Sequence, residues 1–418
     1  MGEAGRRAYS YYVAALLMLV YTANYLDRNI LVILAEPIKR ELALRDWQIG
    51  FLTGTSFAVF YALLGLPIAR LADRSNRVNI CSVALVVWAG MTAACGLVAN
   101  YLQLVLARVG VGVGEAGGSP PAVSIISDYF PAQSRGTALG LYNLGVPFGM
   151  LLGFVVGGVI NDLYGWRTAF IVAGLPGIAL ALLTKLTIRE PVRVSPHGER
   201  ACEGSLLADV RTLLQNRLYR GTVVGAAVFN VATYGVSLWS PANMMRAFEL
   251  DTRSAGITMG IVSGLGGAAG SFLGGFISDR LQRRDVRWLF WVPALAAAAF
   301  FPLVLAGVLM PTVKLYATML VITYVVSFAT HAPFWAVAQA TVPAHKRALA
   351  AAFLLFLINL MGLGLGPQLA GILSDLAEPL FGQNRLRIVI PILATLALPA
   401  SYLFFQTSRH TASAPALR

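Results

Sequence analysis

The sequence predicts an all-α membrane protein whose twelve transmembrane helices form two pseudo-symmetric six-helix bundles. Three observations predict it: an apolar composition, a regular series of membrane-length apolar runs, and loop motifs that repeat between the two halves. Of 418 residues, 57% are hydrophobic and only 12% are charged, with a mean hydropathy of +0.70. A soluble domain is about 25% charged, so most of this chain must sit in lipid.

The apolar runs fall near residues 11–36, 48–70, 79–99, 102–125, 136–160, 167–187, 219–241, 255–277, 288–309, 315–335, 348–373 and 388–406. Each is long enough to cross about 30 Å of hydrocarbon as a helix. The first run contains Asp27 and Arg28 and lacks a small-residue cleavage site, so it reads as a retained first span. The longest polar stretch, Arg189 to Arg217, carries Pro191, Pro196 and Gly198 and divides the runs six and six. The expected organisation is therefore an N-terminal bundle over 1–188, a cytoplasmic linker over 189–217 and a C-terminal bundle over 218–418. Within the linker, Ser205 to Leu214 has the apolar spacing of a surface-lying amphipathic helix.

A formal charge of +13 could suggest a nucleic-acid partner, but the placement of the basic residues argues otherwise. With both termini cytoplasmic, the loops of that side hold more than twice as many Arg and Lys as the opposite side, and only Arg28 and Arg108 lie inside spans. This is the asymmetry by which membrane proteins set their orientation, and it needs no nucleic acid. Cys81 and Cys95 share one span about 21 Å apart and cannot bridge, Cys202 lies in the linker, and no metal-ligand spacing occurs. No cofactor or metal is implied. The use of 28 arginines against 4 lysines suits a bacterium with a GC-rich genome, hence an inner membrane.

The halves repeat each other at their loops. Ala69-Arg-Leu-Ala-Asp73-Arg74-Ser-Asn-Arg77 follows the second run, and Gly275-Phe-Ile-Ser-Asp279-Arg280-Leu-Gln-Arg283-Arg284 follows the eighth. Phe130-Pro131-Ala-Gln-Ser-Arg135 matches Val342-Pro343-Ala-His-Lys-Arg347, and Gly158-Val-Ile-Asn-Asp162 matches Gly371-Ile-Leu-Ser-Asp375. Matched pairs at nearly constant separation indicate parallel repeats about an axis along the membrane normal. The second loop, with Arg108-Val-Gly110-Val-Gly112, Gly145-Val-Pro147-Phe-Gly149 and Gly165-Trp166-Arg167, resembles the major facilitator superfamily over essentially the whole chain. The first loop departs from that pattern, with Ala69 and Asn76 where glycines are usual.

Asn24-Tyr25-Leu-Asp27-Arg28 and Gly112-Val-Gly114-Glu115-Ala116 resemble both the spinster subfamily and the organic-anion symporters. The eleventh span, with Pro343-x-x-x-Arg347, Asn359-Leu-Met-Gly362, Gly366-Pro367 and Gly371-Ile-Leu-Ser374-Asp375, is more similar to spinster proteins. That resemblance implies a carrier of lysolipids or sphingosine phosphates, working by alternating access as a monomer. It also implies that the first, fourth, seventh and tenth helices line a central cavity.

Charges inside hydrocarbon cost at least about 2.5–3.5 kcal/mol each, so Asp27, Arg28, Arg108 and Glu115 call for a reason. Arg108 and Glu115 lie nearly two turns apart on one helical face, too far to touch but able to bracket a polar group or water. Buried carboxylates exchange protons near neutral pH whereas arginine stays charged. Glu115, with Asp27, is therefore the candidate proton carrier, and Arg28 and Arg108 the candidate anion clamp, with Asn24 beside them. Asp27 is expected to pair with an arginine when substrate is absent. The alternative is that Asp27–Arg108 or Arg28–Glu115 merely join two helices.

The second half has no mid-span carboxylate. Asn230, Tyr234 and Ser237 recur at helical spacing in the seventh run, as do Tyr324, Phe328, His331 and Trp335 in the tenth. Together they suggest an amphipathic cavity suited to a polar head and an apolar tail, although packing accounts for each one singly. The resemblance assigns gating to Asp73, Arg74, Arg77, Arg135, Asp279, Arg280 and Arg347, since a carboxylate facing a helix N-terminus gains a contact present in one state only. The expected partners are thus a lysolipid-like substrate, protons and membrane lipid. A small organic-anion symporter is the second reading; an intramembrane enzyme or a non-transporting receptor finds little support, because no nucleophile, base and metal groups converge.

Overall fold

The computed structural model describes residues 3–191, 206–343 and 346–413, so Cys202, Arg193, Arg200 and much of the expected linker lie outside the described residues. The described chain is helical throughout, because the sequence leaves few alternatives in lipid: a backbone that cannot bond to water must bond within its own helix. Among the described residues, nine helical stretches are long and apolar enough to cross a membrane. Two of these are double. Gln133–Thr187 is broken at Gly165, whose φ of 83° reverses the chain, and Leu349–Thr411 is broken at Gly382 with a φ of 51°. With the interrupted pair α5 (Tyr101–Glu115) and α6 (Ser119–Tyr129), the spans reach the twelve expected.

Helix starts follow local chemistry. Asn76 caps α4 (Arg77–Cys95) by accepting from Asn79 N at 2.8 Å, Asn100 caps α5 from Gln103 N at 3.0 Å, and Asn216 caps α10 (Arg217–Ala247). Breaks at Ala116–Gly118 and Ala329–Thr330, which the apolar runs conceal, divide the fourth and tenth spans.

The chain forms two compact units. Unit 1 comprises 1–45, 56–198 and 250–260; unit 2 comprises 46–55, 199–249 and 261–418. The segments 46–55 and 250–260 thus depart from the expected division at the linker, each belonging to the unit built mainly from the other half of the sequence.

In unit 1, α1 (Glu3–Glu41) lies along the first part of α8 (Gly145–Thr187) because small residues let the backbones meet: a Cβ on Gly149 would fall 2.5 Å from Thr22 O, and one on Gly153 2.8 Å from Leu26 O. Gly114 brings α5 onto Trp88 of α4 in the same way, and Gly112 brings it onto Phe57 of α3 (Ser56–Arg74). At one end of this unit Arg77, only 3% exposed, donates to Asp128, Ser124, Glu190 and the Pro191 carbonyl.

Unit 2 packs α10 against α18 (Ala397–Ser408), α16 (Gly366–Phe381) and the wide π turn Ile358–Leu365. The amphipathic helix expected in the linker appears as α9 (Leu206–Gln215), fastened by an Asp209–Lys346 ion pair of 3.0 Å and by buried Leu213.

Candidate functional site

Unit 1 holds Asp27, Arg28, Arg108 and Glu115, of which all but half-buried Arg28 are buried. Asp27 is 2% exposed, Arg108 2% and Glu115 1%. α1 supplies Asn24, Asp27 and Arg28; α5 supplies Arg108 and Glu115 near its interruption; α3 and α4 close the sides. Arg28 Nε donates to Glu115 Oε2 at 2.7 Å, so of the two expected pairings this is the one formed. Its guanidinium also sits over three rings: Phe57 at 4.8 Å, Tyr61 at 5.0 Å and Tyr25 at 5.2 Å. The Phe57 ring is shared, because Arg108 lies over it at 5.7 Å.

Asp27 corrects an expectation. It bonds to neither arginine; its Oδ2 accepts from Thr92 Oγ1 of α4 at 3.0 Å. The reason is helical geometry. Successive residues on α1 point about 100° apart, so when Arg28 faces α5 and the α3 rings, Asp27 faces α4.

The cluster has bonding capacity left over. Arg108 Nε and Nη1, Asp27 Oδ1, Glu115 Oε1 and Asn24 Oδ1 are buried atoms without a hydrogen-bond partner in the structure. Native interiors leave few such groups, and here several collect in one cluster. It holds both unmet donors and unmet acceptors, which suits exchange of protons or capture of an anionic group.

In unit 2 the tenth-span residues form a second cluster. Tyr324 stacks on Phe328 at 6.1 Å between centroids, and Phe328 meets His331 at 4.9 Å. His331 opens α14 (His331–Ala340) just after the break that ends α13 (Val313–Phe328), and Trp335 lies one turn on, half-buried. Asn230, 4% exposed, donates to Ala226 O of its own helix at 2.8 Å. Asn230 and half-buried Tyr234 both lie against Gly362 of the π turn.

Among the expected gating residues, Arg74, Arg135, Asp279, Arg280 and Arg347 are exposed at helix ends, and Asp279 accepts from Gln282 at 3.0 Å. The Asp73 side chain lies outside the described residues. Arg77 differs from the rest in being buried in its own unit.

Sequence reading missed Phe57, Tyr61, Tyr25 and Thr92. Phe57 and Tyr61 are four residues apart and so share a helix face, a signal that could have been used. Thr92 carried none.

The profile of the Major Facilitator Superfamily matches residues 17–367. The chain is 32% identical over 404 residues to an MFS-type efflux pump of Mycolicibacterium smegmatis, covering 96% of this chain and 93% of the relative. It is 31% identical over 282 residues to a probable L-galactonate transporter of Escherichia coli, covering 64% and 62%. Among solved structures it is similar to a bacterial homologue of the human lysosomal transporter spinster in an inward-facing, unoccupied conformation, with a TM-score of 0.87, 31% identity and coverage of 97% and 98%.

Proposed function

Because this chain belongs to the Major Facilitator Superfamily and is a multi-pass membrane transporter rather than an enzyme, we propose that it exports or flips a lysolipid-like amphiphile with proton coupling, by alternating access. The observation that carries the reading is the unit 1 cluster, where Arg108, Asp27 and Glu115 lie buried beside half-buried Arg28, with unmet donors on Arg108 and unmet acceptors on Asp27 and Glu115.

Arg108 and Arg28 take the anionic or zwitterionic head group, with Asn24 beside them. Glu115 takes the proton. Protonation weakens its bond to Arg28, which frees that guanidinium for an anion; deprotonation restores the pair and favours release. The groups facing Glu115 from other elements are Arg28, Asp27 and Asn24 of α1, and Arg28 lies over Tyr61 of α3; Arg108 stands on its own helix. Asp27, held by Thr92, is the second proton acceptor.

Asn230, Tyr234, Tyr324, His331 and Trp335 line the path of the apolar tail. Similarity at 29% identity over 230 residues to a sphingosine-1-phosphate transporter of Danio rerio supports the substrate class, and similarity to an efflux pump supports the outward direction. The remaining assignments are an inner-membrane monomer with both termini cytoplasmic, bundles over 1–188 and 218–418, and a clamp made of Asp73, Arg74, Arg77, Arg135, Asp279, Arg280 and Arg347. Similarity to a probable L-galactonate transporter favours a second reading, symport of a small organic anion through the same charges.

Flux in proteoliposomes separates the two readings, with lysophospholipids, sphingoid phosphates and hexuronates offered under an imposed pH gradient. Lysolipid movement that responds to the gradient, and loses that response in Glu115→Gln, is the expected result. Full gradient dependence in Glu115→Gln overturns the proton assignment, and movement of hexuronates alone overturns the substrate.

A further inference from the structure

Helical asparagines of this chain use their amide locally where they can. Asn29, Asn143, Asn230 and Asn359 each donate to the carbonyl four residues back in their own helix, at 2.7–2.9 Å. Asn243, near the end of α10, does not. It is 1% exposed, and neither its Nδ2 nor its Oδ1 has a hydrogen-bond partner within the protein. Tyr316, in the first turn of α13 and also 1% exposed, has a hydroxyl in the same condition.

The two unmet groups are neighbours inside unit 2. Asn243 and Ser240, one turn apart on α10, both face the Tyr316 hydroxyl, yet no direct bond to it forms. Ser240, 0% exposed, already donates to Val236 O at 2.7 Å, so toward the tyrosine it offers only lone pairs. Stability disfavours an amide and a phenol buried side by side with nothing bonded to either, and native interiors fill such places.

The surroundings select the occupant. Arg387, the charged group close by, is engaged elsewhere: it donates to Val308 O at 2.9 Å and lies over the Phe248 ring at 5.7 Å, and that ring meets Tyr316 at 5.6 Å. What faces the hydroxyl is therefore an amide, a second hydroxyl and a ring, which suits a small neutral molecule that both donates and accepts. A cavity of about 10 Å³ also adjoins Tyr316, between Val236, Val304 and Leu320. Its largely apolar walls keep it dry, but it leaves the ring slack to admit a water at its polar end.

We propose that an ordered water is bound between α10 and α13, bonded to the Asn243 amide, the Tyr316 hydroxyl and Ser240 Oγ, and that it forms the polar joint between these two helices. Three bonds are the usual complement of a buried water, and this one meets groups that the protein leaves unmet. The site does not depend on the identity of the cargo.

Thermal melting of the full chain in detergent tests it, followed by tryptophan fluorescence, with Trp239 one turn from Asn243. Asn243→Leu keeps the size of the side chain and removes its polar atoms. Were the amide dry, that change would relieve an unmet burial and raise the midpoint; with the water bound, it breaks the bridge and strands Tyr316, and the midpoint should fall by about 2–8 °C. Tyr316→Phe should lower it as well, and the double variant should fall by less than the two shifts added, because either change alone already breaks the shared bridge. A crystal or cryo-EM map of the unmodified chain that resolves ordered solvent needs no variant: density is expected within hydrogen-bond distance of both the Asn243 amide and Tyr316 Oη. Should Asn243→Leu not fold, the map and Tyr316→Phe decide. A raised midpoint in either single variant, additive shifts, or a map in which the two side chains bond directly or to nothing overturns the site.

Discussion

Replacing Glu115 tests the energetic meaning of the buried cluster before any transport is measured. Its carboxylate is fully buried and lies 2.7 Å from Arg28, whose side chain is 16% exposed. Glu115→Ala strands that guanidinium, and removing one partner of a buried pair costs roughly 3–5 kcal/mol. Three rings at 4.8–5.2 Å moderate the loss, since each cation–π contact is worth about 0.5–2 kcal/mol and persists in the variant. A net cost of about 2–4 kcal/mol follows. Glu115→Gln keeps an oxygen to accept from Arg28 and loses only the charge assistance, about 1–2 kcal/mol. For a unit of roughly 200 residues each kcal/mol moves the melting midpoint about 2–4 °C, so the two variants should fall about 4–16 °C and 2–8 °C below the parent. Trp88, 1% exposed and packed on Gly114 next to the site, supplies the fluorescence signal in detergent. Glu115→Ala combined with Arg28→Met should recover stability relative to the single variant, as expected for a coupled pair. If Glu115→Ala melts with the parent, the pair does not hold α1 to α5 and the energetic reasoning fails.

Arg77→Ala should destabilise unit 1 by about 3–5 kcal/mol because it leaves Asp128 and Glu190 facing each other without their shared cation, and thermal melting checks it. Arg77→Lys should recover only part, since an ammonium cannot reproduce contacts made from Nε and both terminal nitrogens. Gly114→Val should block the approach of α5 to α4, its Cβ being placed 2.6 Å from Trp88 N, and should abolish folded, monodisperse protein on size exclusion, whereas Gly136→Ala, with open space around it, should leave the elution profile unchanged. Ser254 donating to Asp251 holds that carboxyl below its ordinary range. A depressed folded pKa contributes stability above the unfolded value of about 3.9 and loses it as pH falls through the folded value, so the stability difference between parent and Asp251→Asn should shrink below about pH 4 in acid titrations followed by fluorescence.

The fold was legible because lipid simplifies the code. Runs of membrane length, Gly165 and Gly382 at reversals, and Asn76, Asn100 and Asn216 at helix starts are local signals that need no knowledge of neighbours. The four charges of the first and fourth spans were legible on the same ground, since nothing but function or pairing explains an ion in hydrocarbon. Their pairing was not. Seven residues separate Arg108 from Glu115 on one face, yet which of Asp27 and Arg28 meets them depends on the rotation of α1 about its own axis. That rotation is set by Gly149 and Gly153 settling onto Thr22 O and Leu26 O, far along the chain. Arg246 and Arg385 went unrecognised for the opposite reason: at helix ends, basic residues already have a topological explanation, and only the fully buried Asp46 between them reveals another.

The distribution of unmet bonding bears on whether the charges of unit 1 are glue or machinery. A pair kept only to join helices gains most when each remaining lone pair and N–H is satisfied, and the Arg77 node shows that this chain can build such a thing: Nε, Nη1 and Nη2 all donate, and the Glu190 carboxylate also accepts from Val78 N. The Arg28 cluster is built otherwise. Glu115 Oε1 and Asp27 Oδ1 have no hydrogen-bond partner within the protein, nor have Nε and Nη1 of Arg108, which is as deeply buried as Arg77 and lies over a shared aromatic ring. Each idle buried group costs about 1–3 kcal/mol, so stability alone disfavours the arrangement. A site that must bind a head group and hand over a proton needs such idle groups, because bonds already satisfied within the protein have nothing to offer a ligand.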